Sequence, residues 1–260
     1  SSAASDVYKR QGLIIAIAGI IFSICFDSFN DLIAGLRNGQ GYVGYFFSNA
    51  AFGGMCTHYM LPVFTALPFS VSLCQERNNK AVSYIVSREG KNRYIFAKFI
   101  VSAISGGFVA ACGTVLLFLM LAMRFPIAGD EFEGAVVSDY FHEWSAVYYP
   151  QLYILTLSIL AFCRGVIWSS LALCVSLYTS DFMVVLLSPF LGSYVLVRIF
   201  QIIRVPDMVR PDMILIGQVV IKSSGLTLLI AIAISLTIVT LIGAFFVGKM
   251  KEGLKSGTIY

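Results

Sequence analysis

Gln75–Lys98 reads QERNNKAVSYIVSREGKNRYIFAK. It carries Arg77, Lys80, Arg88, Lys91, Arg93 and Lys98, six of the eighteen Lys and Arg residues in the chain. On either side the sequence is almost uncharged for more than twenty residues. Apolar runs of ~20 residues are long enough to cross a bilayer. A dense basic loop between two of them marks the cytoplasmic face, where Lys and Arg are retained. The loop also has internal order. Asn78 or Asn79 is placed to N-cap a short helix, Gly90 to end it, and Val82, Ile85 and Val86 lie along one face. Such a helix offers one side to lipid or protein and the other to a cytoplasmic partner. Charge alone does not separate this from a solvated positive-inside loop with no partner.

Composition supports the same class. The 260 residues are 58% hydrophobic and 12% charged, with a mean hydropathy of +0.84. Soluble domains carry about 25% charged residues, so the chain reads as an integral membrane protein. The net charge of +4 sits at span ends, where it sets orientation and does not imply nucleic acid. Cys25, Cys56, Cys74, Cys112, Cys163 and Cys174 all fall in or beside apolar runs without a C-x-x-C pair. They read as small buried hydrophobes and not as a metal or redox site.

Residues 1–11, SSAASDVYKRQ, are polar and resemble read-through of a sequencing adapter, so they are expected to be a non-native leader. Residues 12–260 read as one all-α transmembrane domain of about six spans with both termini cytoplasmic. The spans are Gly12–Phe29, Ala50–Cys74, Phe99–Leu121, Gln151–Tyr178, Phe182–Ile203 and Gly225–Val247. A cleaved signal peptide is the alternative for the first, but no small-x-small site follows Cys25. Residues 30–49 read as an outer loop. Residues 122–150 form an acidic outer loop with interfacial aromatics. Arg204–Ser224, with two prolines and the apolar patch Met213–Ile216, reads as a segment dipping back without crossing. Eleven Lys and Arg then fall inside and five outside, or nine against five without Lys9 and Arg10.

Polar groups inside the spans are the remaining signals. Pro62 and Pro68 are expected to kink the second span. His58 in that span is either hydrogen-bonded to a neighbouring helix or lines a pathway. Asp27 and His58 are expected near one another at the outer side of the first two spans, serving packing or a pathway more than catalysis. Ser102, Gly106 and Ala110, with Ala103, Gly107 and Ala111 beside them, let helices approach closely. Arg164 lies mid-span with ~15 Å to cover in either direction, too far to snorkel, so it faces the bundle interior or a wet cavity. There it serves either a structural bridge, for instance to His58, or a translocation pathway. Asp139, His142 and Glu143 are a weak metal set. Gly243–Lys249 reads G-x-x-x-x-G-K, but Met250 follows where Ser or Thr would bind magnesium, and no strand precedes it. The chain therefore reads as lacking an ATPase site and any cofactor of its own.

Glu76-Arg77, Tyr84-Ile85-Val86-Ser87-Arg88 and Asn92-Arg93-Tyr94-Ile95-Phe96-Ala97-Lys98 together resemble the first cytoplasmic loop of type-2 ATP-binding-cassette (ABC) transporter permeases. Lys80-Ala81 stands where that family has a Gly-Thr-like pair. The resemblance implies a short amphipathic coupling helix between spans two and three. It also implies an ATP-binding cassette subunit that hydrolyses ATP on a separate polypeptide, and a second permease subunit, identical or not. The setting it implies is the cytoplasmic membrane of a bacterium. The implied activity is alternating-access transport, in the direction of export. Glu76, Arg77, Tyr84, Arg88, Arg93 and Lys98 are the implied coupling positions. An autonomous secondary transporter should instead show inverted repeats and charges meeting at midplane, and a membrane scaffold or immunity-type protein would lack the ATPase partner.

Overall fold

The computed structural model describes residues 2–38, 43, 46, 54–70, 72–79, 81–127, 149–217, 219 and 221–256. Among them every regular element is helical. In chain order these are α1 (Ser2–Asp27), α2 (Phe29–Asn38), α3 (Met55–Ala66), α4 (Ser72–Asn78) and α5 (Ala81–Glu89). Then follow α6 (Lys91–Ala122), α7 (Pro150–Val175), α8 (Phe182–Ile203), α9 (Pro211–Ile216) and α10 (Ser224–Ser256). The acidic outer loop, with Asp139, His142 and Glu143, lies outside the described residues.

Four helices, α6, α7, α8 and α10, are each long and apolar enough to cross a membrane. The α1–α2 pair, bent by 70°, would make a fifth. Two expectations change here. Residues 30–38, expected as loop, belong to the helix Phe29–Asn38, with Asp31 in the first turn and Arg37 in the last, which suits the helix dipole. The expected second span is broken. α3 contains Pro62 and ends at Ala66, and Leu67–Ser70, including Pro68, form a turn before α4 begins. A proline deprives the helix of a backbone donor and clashes with the preceding turn; Pro62 is accommodated inside α3, and the run divides at the turn that holds Pro68.

α7 is the hub. It packs on α3, α6, α8, α9 and α10 and is the most buried of the four long apolar helices, whereas α10 is the least. Its seam with α6 is the closest in the fold. A Cβ built on Gly107 would sit 2.6 Å from Val166 Cγ2, and one on Gly165 would sit 2.9 Å from the Cα of Gly107. Only hydrogen fits at these positions, so the small-residue stripe of α6 serves close packing, as expected. Gly165 is the matching small residue on the other helix. Three serines tie the seam to the turn after α3. Ser70 Oγ donates to the Ser169 carbonyl at 2.9 Å and lies 3.0 Å from Ser102 Oγ.

α8 spans the residues expected of the fifth span. Asp181 caps it by accepting from the Met183 amide at 2.8 Å, and Arg204 ends it in the left-handed region at φ 54°. α9 inserts Ile214, Leu215 and Ile216 into the main core, so the segment before the last helix does fold back into the bundle. The outward faces of α6, α8 and α10 present rows of exposed Ile, Leu and Phe, among them Ile100, Ile104, Leu191, Ile199, Leu229 and Leu236. An apolar surface on that scale suits lipid and not water.

Candidate functional site

Two regions gather the chemistry. The first is the basic end. Glu76 on α4 accepts from Lys98 Nζ at 2.6 Å and from the Tyr94 hydroxyl at 2.5 Å. Tyr94 and Lys98 are four residues apart on α6, so one helix face presents both donors to one carboxylate. Arg77 Nη1 donates to the carbonyls of Ser176 (2.9 Å) and Leu177 (3.2 Å). These carbonyls follow the end of α7, where backbone acceptors lose their helical partners and a cation is favoured. Asn78 Nδ2 donates to the Ser180 carbonyl at 3.2 Å. Asn78 therefore ties α4 to the α7–α8 turn and does not cap α5, which starts at Ala81.

α5 is the expected amphipathic helix. Val82 and Val86 are buried against Leu73, Tyr94, Ile95, Phe246 and Leu254, with Ile85 half-buried beside them. Gly90, at φ 87°, makes the left-handed step between α5 and α6. That conformation disfavours any residue bearing a Cβ. The six positions implied by the resemblance fall into two sets. Glu76, Arg77 and Lys98 face inward and hold α4 to α6 and α7. Tyr84, 70% exposed, faces outward on α5 with Arg88, and Arg93 is exposed at the start of α6.

The second region is a cavity of about 340 Å³ enclosed by α3, α7, α8, α9 and α10. His58 and Arg164 both line it, so the structure brings the two intramembrane residues to one place. Asp212, from α9, is the third ionisable group in its wall, and Trp168 and Ser193 are also exposed to it. The rest of the lining is aliphatic side chains and prolines.

Arg164 is half-buried, and its Nε is fully enclosed with no hydrogen-bond partner. Among the described residues nothing pairs with it, so no bridge to His58 or to a backbone carbonyl is formed. Asp212 is occupied elsewhere. Arg210 grips both of its oxygens, Nη2 to Oδ2 at 2.7 Å and Nε to Oδ1 at 3.3 Å. The geometry is the two-pronged one that suits guanidinium and carboxylate. Arg210 also contacts Asp207 at 3.2 Å, and these carboxylates raise its pKa above the usual arginine value.

Asp27 has a different role from the expected packing pair. Its carboxylate accepts the amides of Cys56 (2.9 Å) and Thr57 (2.6 Å) at the start of α3. This is an anion at a helix N-terminus, satisfying donors that have no partner within the helix. His58 stacks edge-on against Tyr59 at 4.8 Å between ring centres. Gly243–Lys249 lies inside the unbroken helix α10, with Met250 fully buried.

Sequence reasoning missed the Arg210–Asp212 pair and the α3 cap, because neither has a spacing that marks it before the fold brings the partners together. Compared with known family models, curated proteins and solved structures, the chain matches none.

Proposed function

We propose that this chain is the membrane-spanning permease subunit of an ABC transporter, driven by ATP hydrolysed on a separate ATP-binding subunit. In this reading α1, the broken α3–α4 pair, α6, α7, α8 and α10 make six crossings with both termini cytoplasmic. α2 lies along the opposite interface. The chain sits in a cytoplasmic membrane beside a second permease subunit, identical or not, and exports its substrate by alternating access.

The observation that carries the reading is the arrangement of α5. A two-turn helix is seated by Val82 and Val86 on the ends of α6, α7 and α10, and it turns Tyr84 and Arg88 outward. A push on α5 reaches the long helices through packed side chains and through the Glu76–Lys98 and Arg77–Ser176 contacts. A transporter needs such a rigid relay between the nucleotide cycle and a two-state bundle.

The test is cysteine crosslinking from Tyr84→Cys or Arg88→Cys to proteins that copurify with the intact chain. Capture of an ATPase whose ATP hydrolysis depends on this chain is the expected result. Solvent or lipid accessibility alone at both positions, in an otherwise intact protein, would sink the proposal.

A further inference from the structure

The cavity beside Arg164 has a composition that points to one class of ligand. An arginine deep in an apolar bundle normally pairs with a carboxylate or a backbone carbonyl, because an unpaired buried charge is among the most unfavourable features a fold can hold. Here the nearest carboxylate in the wall, Asp212, has both oxygens engaged by Arg210. A third contact binds Arg210 to Asp207, which is 71% exposed and so screened by solvent. Arg210 thus occupies the carboxylate in the wall, and among the described residues Arg164 is left as the uncompensated cation of the cavity. His58 adds a ring that can donate a hydrogen bond, and among the described residues no free carboxylate opposes an anion there.

The route of entry follows from the packing. α8 and α10 each rest on α7 but make no substantial contact with each other. Leu196 on α8 and Leu241 on α10 both line the cavity and are both exposed, Leu241 at 67%. The cavity therefore lies behind the seam between these helices, whose far side is the face the apolar belt assigns to lipid. α9 closes one end with Leu215 and Ile216. A water-soluble anion would meet aliphatic walls and a hydrocarbon doorway. A chain-bearing anion matches both, and about 340 Å³ is at the small end of the ~300–1,000 Å³ typical of ligand sites.

We propose that this cavity binds a single-chain anionic amphiphile drawn from the bilayer, its head group held by Arg164 and its hydrocarbon chain leaving between α8 and α10. The inference rests on the chain lying in a membrane, but not on its having an ATPase partner. Binding is therefore measured on the purified full chain, where loss of the permease reading would leave the result unchanged.

The chain has two tryptophans, and one of them, Trp168, lines the cavity. Trp144→Phe leaves Trp168 as the sole reporter. In nanodiscs of uncharged lipid, a bromine-bearing fatty acid should quench Trp168 saturably, whereas the matching brominated alcohol should quench only in proportion to its partitioning. Arg164→Gln should weaken the saturable phase about tenfold or more, the loss expected when a charge-assisted contact is removed. Arg164→Lys should fall between. Proportional quenching by the acid, or saturable quenching of equal affinity by the alcohol or in Arg164→Gln, would overturn the proposal. Displacement of the acid by inorganic phosphate would do so too, assigning the site to a water-soluble anion. Should Arg164→Gln fail to fold, the comparison of acid with alcohol on the parent protein still decides.

Discussion

Lys98 and Arg164 are both cations withdrawn from water, and the fold treats them in opposite ways. Lys98, 11% exposed, meets Glu76 at 2.6 Å, and the same carboxylate takes the Tyr94 hydroxyl. Among the described residues Arg164 meets no carboxylate, and its Nε has no partner. A cation paired with a carboxylate that a second donor also anchors holds elements in place. An unpaired charge set in the wall of a cavity is a standing instability that packing alone would not retain. The difference assigns a joint to one end of the bundle and a ligand site to its middle. It also makes predictions of opposite sign.

The largest effect is expected at the joint. Glu76→Ala removes the carboxylate that Lys98 and the Tyr94 hydroxyl share. Removing one partner of a buried pair costs ~3–5 kcal/mol, and the loss here should fall somewhat short of that because Glu76 keeps 25% of its side chain exposed. Unfolding of the detergent-solubilised protein by denaturant measures it. Glu76→Gln, which keeps an acceptor for Tyr94, should recover part of the loss. Equal stability of Glu76→Ala and the parent would show that the pair is not a joint.

Arg164→Met should move stability the other way. An arginine at a helix centre is unfavourable by ~2.5–3.5 kcal/mol on insertion scales, and nothing among the described residues offsets that by pairing. Replacing it with an apolar chain of similar length should stabilise the protein by up to that amount, less whatever hydration the cavity already supplies. The same unfolding assay reads it. A destabilised Arg164→Met would mean that the guanidinium does bridge helices, and the contrast with Lys98 would collapse.

How much of this was legible beforehand depends on the range of the interaction. α8 was readable to its ends because Asp181 caps it and the apolar run stops at Arg204, both local features. The small stripe on α6 was readable as a packing face, but its counterpart Gly165 was not, since one glycine beside one arginine carries no period. α2 was hidden by a Gly- and Asn-containing sequence whose local propensity suggests loop. The broken α3–α4 pair had its cause in plain sight at Pro68, yet whether a proline kinks a span or divides it is settled by the neighbours that accept the freed backbone groups. At the sites, chain position singled out Arg164 and His58, while the absence of a partner for Arg164 is a property of the folded bundle. No motif could show that Asp212 was already taken.

The smallest expected effect probes the other half of the comparison. If the inward set at the basic end is structural, the outward set on the same loop should be dispensable for stability. Tyr84 and Arg88 project from α5 into solvent, while Val82 and Val86 hold the helix down. Exposed substitutions away from caps and pairs usually stay within ~0.5 kcal/mol of the parent. Tyr84→Ala combined with Arg88→Ala should therefore leave the unfolding midpoint unchanged, even though both positions lie within twelve residues of Glu76 in the sequence. Val86→Ala provides the internal control. It removes buried methyl groups from the cluster around Phe246 and Ile95, and truncations of that kind in a core cost ~1 kcal/mol or more. A stability loss in the Tyr84/Arg88 pair matching that of Val86→Ala would mean that the outward face of α5 packs against something within the chain. A silent pair beside a damaging Val86→Ala leaves the outward face free for a partner, which is the arrangement the relay requires.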